Sequence, residues 1–406
     1  MSQDLNRRDF LKTALVSGGI GAAGLTGAGR LAEAADGAKT TGTPALSAKV
    51  PRKTLGKTGE QVPILLQGCA MTFDARYDKI LHTGFKEGVD YLDTALVYAR
   101  GESQKTIAPF LKQVGRENVW ITTKAPHRRN QADVASFETD LDTCLTDLGT
   151  KQVELFFMHA LNDAKYVTKQ YAKMGDRLKK KGKIKHFGFS CHDGNVVELM
   201  EKAAKLGGID VIMFRYHFGK YGDKELNRAI DACKKANIGL IAMKTQKSVP
   251  DDLPEVASWK GESFNLAQAK LKAVWADERI DSAVSHMDTL EKLQENVAAA
   301  KTPLKLSVNE LHQLNRLAER TAQHSCEGCN HRCEPEVDGE VKIADTLRFL
   351  MYDECYGETD KARQFYRELT PAQRAFDGLD FTRAMKACPE GIDIPTRLAH
   401  ARSRLA

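Results

Sequence analysis

The chain has 406 residues, of which 42% are hydrophobic and 28% charged. This composition is typical of a folded protein and excludes a mostly disordered chain. No uncharged run reaches the roughly 18 apolar residues of a membrane-spanning helix, and a net charge of +6 is too weak a bias to indicate nucleic-acid binding. Neither an integral membrane protein nor a nucleic-acid-binding protein is expected.

The first 35 residues have the pattern of an export signal. Arg7-Arg8-Asp9-Phe10-Leu11-Lys12 precedes an uncharged stretch over residues 13–29, and Ala32-Glu33-Ala34 follows as a small-x-small cleavage site. The paired arginines before Phe-Leu-Lys resemble a twin-arginine signal, and a loose basic N-terminus is the alternative. We expect a signal peptide at residues 1–35, read by the twin-arginine export machinery, a flexible leader at residues 36–51, and a periplasmic mature protein.

Residues 52–325 alternate short apolar runs with amphipathic helical stretches. Eight strands with room for a helix after each are predicted, ending near Cys69, Asp93, Lys124, His159, Ser190, Tyr216, Met243 and Ser285. An α/β fold, a closed (β/α)8 TIM barrel followed by a helical cysteine-rich extension, accounts for this pattern. An open doubly wound sheet is the alternative, but its glycine-rich phosphate fingerprint is missing after the first strand.

Helix boundaries can also be predicted from local signals. The apolar spacing indicates helices over residues 195–206 and 223–236. Asp288 and Ser307 each precede a glutamate by three residues, which is the pattern of a capping box at a helix start.

Four polar side chains lie at or just after the ends of predicted strands two, three and four: Asp93, Tyr98, Lys124 and His159. In a barrel, such positions meet at one mouth. A tyrosine can donate the proton that a reduced carbonyl needs, and a nearby ammonium lowers its pKa from about 10. A carboxylate would anchor the lysine, and a histidine would donate a hydrogen bond to the carbonyl oxygen. Each residue alone has a structural explanation, but together they predict hydride-transfer chemistry.

Residues 52–300 resemble the aldo-keto reductase family. The resemblance rests on Arg-Lys-Thr-Leu-Gly-Lys-Thr-Gly at 52–59, Tyr-Leu-Asp-Thr-Ala at 91–95 and Gly-Phe-Ser at 188–190. It implies a barrel enzyme that reduces a small-molecule aldehyde or ketone with NADP or NAD, using those four side chains as its catalytic tetrad. It also implies nucleotide contacts by Ser190, Tyr216, Lys244, Lys292, Glu295 and Asn296.

Several residues at the positions where the family binds its coenzyme depart from the family pattern. Met213 stands where strand six usually carries a glutamine, and Met243-Lys244 replaces an aromatic residue after strand seven. His286-Met287 replaces the lysine and serine that hold the 2′-phosphate. These departures leave NADPH, NADH and the absence of a soluble coenzyme open.

Five of the nine cysteines lie near the end of the chain. Cys326, Cys329 and Cys333 fall within eight residues, and Cys388 is followed by proline far downstream. Three thiolates so close together can face one side of a cubane cluster, and a remote Cys-Pro can supply the fourth ligand. A helix predicted over residues 344–352 would fold the chain back and bring Cys388 near the other three.

Residues 326–406 resemble the C-terminal iron–sulfur extension of one branch of the aldo-keto reductases. The resemblance implies a 4Fe–4S cluster held by those four cysteines, and Cys355 is predicted to lie outside the ligand set. Three residues rather than two separate Cys329 from Cys333, unlike the ferredoxin pattern, and four cysteines can also hold zinc. Zinc, disulfide bonds and an empty site stay open as alternatives.

The sequence is therefore compatible with two functions. The first is an oxidoreductase that reduces an aldehyde or ketone with a nicotinamide cofactor, while a cluster in its tail stores electrons or relays them to a partner. The second is a non-catalytic binding or scaffold barrel with a structural metal or disulfide tail. The complete tetrad favours the first.

Overall fold

The structure is a computed structural model that describes residues 46–126, 134–192, 194–250 and 252–406. The predicted signal peptide at residues 1–35 lies outside the described residues, as does the predicted leader up to residue 45.

A short antiparallel hairpin, β1 (Arg52–Thr54) and β2 (Gln61–Pro63), precedes the barrel. Leu55 and Val62 are fully buried and belong to the apolar cluster inside the barrel. A Cβ added to Gly56 would lie 2.3 Å from the nitrogen of Gly239, at the start of a barrel strand. The hairpin therefore closes the end of the barrel where the strands begin. It was not predicted, because three-residue strands show too little alternation to be recognised.

Eight parallel strands form the barrel: β3 (Leu65–Gly68), β4 (Tyr91–Asp93), β5 (Trp120–Pro126), β6 (Val153–His159), β7 (Ile184–Cys191), β8 (Val211–Arg215), β9 (Gly239–Met243) and β10 (Ser282–Ser285). Each pairs with the next, and β10 pairs with both β9 and β3, which closes the sheet. Every strand ends within two residues of its predicted end. The (β/α)8 fold is confirmed.

Helices return the chain between the strands and follow the last one: α1 (Lys79–Glu87), α2 (Ser103–Val114), α3 (Val134–Asp147), α4 (Lys169–Lys180), α5 (Val196–Leu206), α6 (Lys224–Lys235), α7 (Pro254–Ala257), α8 (Leu266–Ala276), α9 (Leu290–Lys301) and α10 (Val308–Arg320). The helices predicted over 195–206 and 223–236 are α5 and α6. Ser307 caps α10 in a capping box with Glu310, as predicted. The cap predicted at Asp288 is wrong by one residue, because the Thr289 side chain accepts the hydrogen bond from the Lys292 backbone.

Alternation along the strands divides the core into two layers. On β6, Leu155 and Phe157 face the barrel interior, whereas Phe156 lies between the strands and the helices. The same period of two directs His159 inward at the end of β6 and Arg215 inward at the end of β8. The polar groups at the carboxyl ends of the strands therefore share the mouth of the barrel.

The chain after the barrel is helical, with α11 (Asn330–Cys333), α12 (Ile343–Tyr356), α13 (Thr359–Glu368), α14 (Pro371–Arg374), α15 (Thr382–Ala387) and α16 (Ile394–Leu405). This extension contains two apolar clusters of its own. The helix predicted over 344–352 lies within α12. The division of the chain at residues 325 and 326 stays a prediction. None of the helices in the described ranges is long and apolar enough to cross a bilayer.

Candidate active site

Lys124 lies at the centre of four polar side chains at the mouth of the barrel. Its Nζ donates to Oδ2 of Asp93 at 2.8 Å, to the carbonyl of Thr94 at 2.8 Å and to Oη of Tyr98 at 3.2 Å. The His159 ring packs edge-on against the Tyr98 ring, with centroids 5.5 Å apart. The structure therefore brings together the four residues that the sequence selected from three separate strand ends.

The backbone next to Tyr98 is strained. Tyr98 begins a short turn after β4, and the next two residues, Ala99 and Arg100, have φ of 50° and 57° although neither is glycine. Left-handed conformations of this kind cost about 1–3 kcal/mol each and concentrate at functional sites. The strain therefore agrees with a functional role for this turn.

Burial changes the proton chemistry that the sequence suggested for Tyr98. Burial raises the pKa of Tyr98 above its ordinary value, and the opposing effect of Lys124 is smaller. The ammonium does lower this pKa, as expected, but the net shift is upward because burial outweighs it. Burial alone would lower the pKa of Lys124, but Asp93 and Tyr98 together raise it. The phenol therefore keeps its proton and the amine keeps its charge.

His159 is a neutral imidazole at ordinary pH. Burial, reinforced by the charge of Lys124, lowers its pKa to about 3. A neutral imidazole carries one N–H and can donate a hydrogen bond without bringing a positive charge into the site. His159 is therefore suited to orienting a carbonyl oxygen.

The residues expected at the nucleotide are spread over several places. Ser190 is buried, and its Oγ accepts the N–H of Ala160 at 3.0 Å, beside the end of β6. On α9, Lys292 pairs with Asp288 at 2.7 Å, Glu295 accepts from Asn265, and Asn296 donates to Ser285 at 3.0 Å. All four lie at or just beyond the carboxyl ends of strands, as a ligand at the mouth requires.

The prediction that Tyr216 contacts the nucleotide is wrong. Its side chain is fully buried in the layer between strands and helices, with Phe214 and Leu226, and its hydroxyl donates to Asp277. Because residues alternate along β8, Tyr216 points outward while Arg215 points inward. Tyr216 is therefore a packing residue and not a nucleotide contact.

The extension covers the loop that follows β9. In this loop Lys244, Lys247 and Ser248 have φ of 57°, 67° and 53°. The hydroxyl of Tyr356, at the end of α12, lies 3.3 Å from Nζ of Lys244 and is hydrogen-bonded to the Ser248 hydroxyl. Cys355 donates to the Ser248 carbonyl at 3.3 Å. Lys244 is therefore held by the extension, and within the described part of the chain it shares no hydrogen-bond partner with Lys292, Glu295 or Asn296.

The four cysteines predicted as ligands line one cavity. Cys326, Cys329, Cys333 and Cys388 line it together with four apolar residues, Ile343, Leu347, Ile392 and Ile394, and three charged ones, Glu327, Arg332 and Glu390. None of the nine cysteines, all of which lie in the described ranges, forms a disulfide bond. Within the described ranges, no three Cys, His, Asp or Glu side chains stand close enough to share a single metal ion. Cys355 is not among the residues that line the cavity.

Two residues at the mouth were missed by the sequence reasoning. Arg215 donates to the carbonyl of Cys326 at 3.0 Å and to Glu327 at 3.2 Å. His192 follows β7, and its ring centroid lies 6.4 Å from that of His159. The alternation of side chains along β7 and β8 could have identified these two residues, because it directs the side chains of His192 and Arg215 toward the barrel interior.

A closed parallel barrel with a buried lysine–carboxylate pair, a tyrosine and a neutral histidine at its mouth defines a (β/α)8 oxidoreductase. The aldo/keto reductase family matches residues 70–319, which is more than half of the chain. The chain belongs to the aldo/keto reductase family.

Individual relatives are distant. An L-galactose dehydrogenase of Arabidopsis thaliana is 22% identical over 282 residues, covering 62% of this chain and 88% of that protein. An aldo-keto reductase of Bacillus halodurans in its holo form is 18% identical with a TM-score of 0.55, covering 66% of this chain and 96% of its own. An aldo-keto reductase of Klebsiella pneumoniae in complex with NADPH is 19% identical with a TM-score of 0.52, covering 66% and 95%. At these identities the solved structures show the shared fold.

Proposed function

We propose that this protein reduces an aldehyde or ketone with a nicotinamide coenzyme. The observation that carries the proposal is the hydrogen bond from Lys124 to Tyr98 at 3.2 Å, beside the neutral imidazole of His159. Because the Tyr98 oxygen accepts from Lys124, its own O–H is available for the oxygen of a substrate. Proton donation from a positioned side chain contributes about 10²–10⁴-fold to a rate.

Each residue of the tetrad has one task in this reaction. His159 donates its N–H to the carbonyl oxygen and orients it. Tyr98 gives its proton to that oxygen as negative charge develops there, and the ammonium of Lys124 stabilises the phenolate left behind. Asp93, buried with Lys124 at 2.7 Å, keeps the lysine charged and in place.

The coenzyme, when bound, supplies the hydride. Ser190, which stands on the inward face beside His159, would hold its nicotinamide end, and Lys292, Glu295 and Asn296 would hold its adenine end. The exposed Lys292 supplies the one positive charge among these three. The relative from Klebsiella pneumoniae was solved with NADPH, and this supports NADP as the first coenzyme to examine.

Substitution of Tyr98 tests the reductase proposal. Tyr98→Phe is expected to lower kcat for aldehyde reduction by about 10²-fold or more while NADPH binding, followed by its fluorescence, is unchanged. Tyr366→Phe, in α13, is the matched control and should keep full activity. If the wild-type protein neither binds NADPH nor reduces any carbonyl, the scaffold function replaces the reductase.

We infer that the four cysteines hold a 4Fe–4S cluster, which would supply single electrons to or from a partner protein. Their common cavity and free thiols support this. Zinc, bound at about 2.3 Å to each sulfur, would pull four thiolates to within about 4 Å of one another. Four thiolates around one cavity can hold either group, and the metal content of the protein decides between them. Burial raises the pKa of Cys326 to about 12, so binding must release protons.

Metal analysis of anaerobically purified protein tests this inference. We expect four irons and four acid-labile sulfides per chain, with broad visible absorbance that dithionite bleaches. Cys388→Ser should lose the absorbance, whereas Cys355→Ser should keep it. Equimolar zinc in colourless protein, or unchanged absorbance in Cys388→Ser, would contradict the cluster.

We further propose that residues 1–35 send the protein to the periplasm by the twin-arginine route. The support is the sequence pattern, and a folded cofactor protein suits that route. Cell fractionation should find processed wild-type protein in the periplasm and an Arg7→Lys/Arg8→Lys variant unprocessed in the cytoplasm. Equal export of the two would refute the proposal.

A further inference from the structure

Lys244 occupies an unusual position at the mouth of the barrel. It directly follows β9, and its backbone is left-handed, with φ of 57°. Its Nζ lies 4.9 Å from the ring centroid of Tyr356 and 3.3 Å from the Tyr356 hydroxyl. The extension therefore holds this ammonium group at the barrel mouth.

Lys244 also has no carboxylate partner among the described residues. The carboxylates of Asp93 and Glu327 face Lys124 and Arg215, at 2.7 Å and 3.2 Å. Asp345 faces Arg348. Within the described ranges, the one side chain that Lys244 contacts through its ammonium is that of Tyr356.

His192 lies beside the tetrad and within the electrostatic influence of Lys244. Its ring lies 6.4 Å from that of His159, which in turn packs on Tyr98. Burial lowers the pKa of His192 well below its ordinary value, and Lys244 is the strongest of the positive charges that add to this, ahead of Arg215. The imidazole is therefore neutral in a positive field, an environment that favours an anion.

We propose that the substrate is a 2-oxo acid or the corresponding 2-hydroxy acid, with its carboxylate bound by Lys244 and His192. This inference rests on the proposed reductase function and deepens it. The carbonyl oxygen lies at Tyr98 and His159, and the carboxylate, on the adjacent carbon, lies at the second imidazole. Lys244, expected at the nucleotide, is reassigned to the substrate.

Two probes with the same phenyl and ketone groups test the proposal: phenylglyoxylate, which is an anion, and its methyl ester, which is neutral. A site built to pair a charged group rejects an analogue that lacks it. We expect wild-type kcat/KM to favour the acid by about 30-fold or more. Lys244→Met should raise KM for the acid and so reduce this preference by at least about 10-fold. It should leave kcat/KM for the ester unchanged.

Lys361→Met is the matched control. The Lys361 ammonium also lies over a tyrosine ring, 4.8 Å from the centroid of Tyr352, and it pairs with Glu358. Tyr352 stacks on Tyr356, so the two lysines flank one tyrosine pair. Lys361→Met should keep the acid preference. Equal kcat/KM for acid and ester in the wild-type protein would overturn the proposal while leaving the reductase intact.

Direct binding separates this proposal from the reductase function. Titration calorimetry with phenylglyoxylate on Tyr98→Phe, in which turnover is slowed about 10²-fold or more, should show binding that is weakened at least about 10-fold when Lys244→Met is added. If phenylglyoxylate bound in this way but the wild-type protein did not reduce it, the reductase function would be excluded and the anion site would still be supported. Equal affinity of both variants for phenylglyoxylate, or no binding to either, would contradict the proposed anion site.

Discussion

At the residue scale, burial has a larger effect than charge on the proton donor. The sequence suggested that Lys124 would lower the pKa of Tyr98, because an ammonium favours a phenolate. The structure adds the loss of solvent around the phenol, which disfavours the charged form and raises the pKa. Tyr98 is therefore a weaker acid in the free protein than expected, and its proton leaves only when charge develops on the substrate.

The pH dependence of reduction follows from these shifts. The donating form of Tyr98 is present below its raised pKa and is lost as the pH rises through it, so kcat/KM should fall only above pH 10 or so. His159, with a pKa of about 3, adds no change between pH 5 and 9. Stopped-flow or steady-state rates from about pH 5 to above about pH 10 check the profile, and a limb near about pH 6.5 would contradict the neutral histidine.

Substitution of Lys124 gives a second prediction at this scale. Without the ammonium, the effect that opposes burial disappears, so Lys124→Met should move the alkaline limb to higher pH and lower kcat by about 10²-fold. The pH profile is the decisive readout. A limb that stayed in place or moved to lower pH would show that Lys124 does not stabilise the phenolate.

At the scale of elements, the loop after β7 contacts the cysteine loop directly. A Cβ added to Gly194 would lie 2.6 Å from Cβ of Cys329. Gly194 therefore serves close approach of two backbones, since its φ is not in the left-handed range. This contact places the cavity of the four cysteines beside the strand that carries Ser190.

Gly194→Ala should therefore disturb the extension. The added methyl group forces the two loops apart, at a cost of about 1–3 kcal/mol in the free energy of unfolding, and should lower iron content as well. Gly84→Ala, in the middle of α1, is the control, because its Cβ would meet neighbours at an ordinary 3.6 Å. Denaturant unfolding and iron analysis of both variants check this. Equal effects of Gly194→Ala and Gly84→Ala on unfolding and on iron content would contradict a role for this contact.

At the scale of the whole molecule, a buried ionic network joins the extension to the barrel. Glu327, which is 3% exposed, lies 3.2 Å from Arg215, 3.3 Å from His217 and 3.4 Å from Lys220. Burial of these charges is costly unless they remain paired. The two parts of the chain should therefore unfold together while the network is intact.

Glu327→Gln should separate the two parts. It leaves Arg215 and Lys220 buried without their shared carboxylate, which costs about 3–5 kcal/mol. We expect limited proteolysis to cut between α10 and α12 in this variant, and calorimetry to show two transitions. Glu336→Gln is the control, because its carboxylate is 41% exposed and 3.8 Å from Arg383. A single unchanged transition in Glu327→Gln would contradict the network.

The sequence by itself determined the barrel, the candidate tetrad and the group of four cysteines. These depend on local signals: apolar runs of strand length, polar residues where those runs end, and short spacings between cysteines. The hairpin was missed because its strands are too short for such a signal, and Tyr216 was misplaced because one residue of register reverses the direction of a side chain.

Only the tertiary structure decided where the extension lies. The contacts from Arg215 to Cys326 and from Ser248 to Tyr356 join residues more than 100 positions apart, and no local pattern carries that information. The pKa directions of Tyr98 and His159 also depend on burial by distant segments. The tertiary structure therefore decided the chemistry of the mouth and the placement of Lys244, because burial and long-range contact exist only in the folded chain.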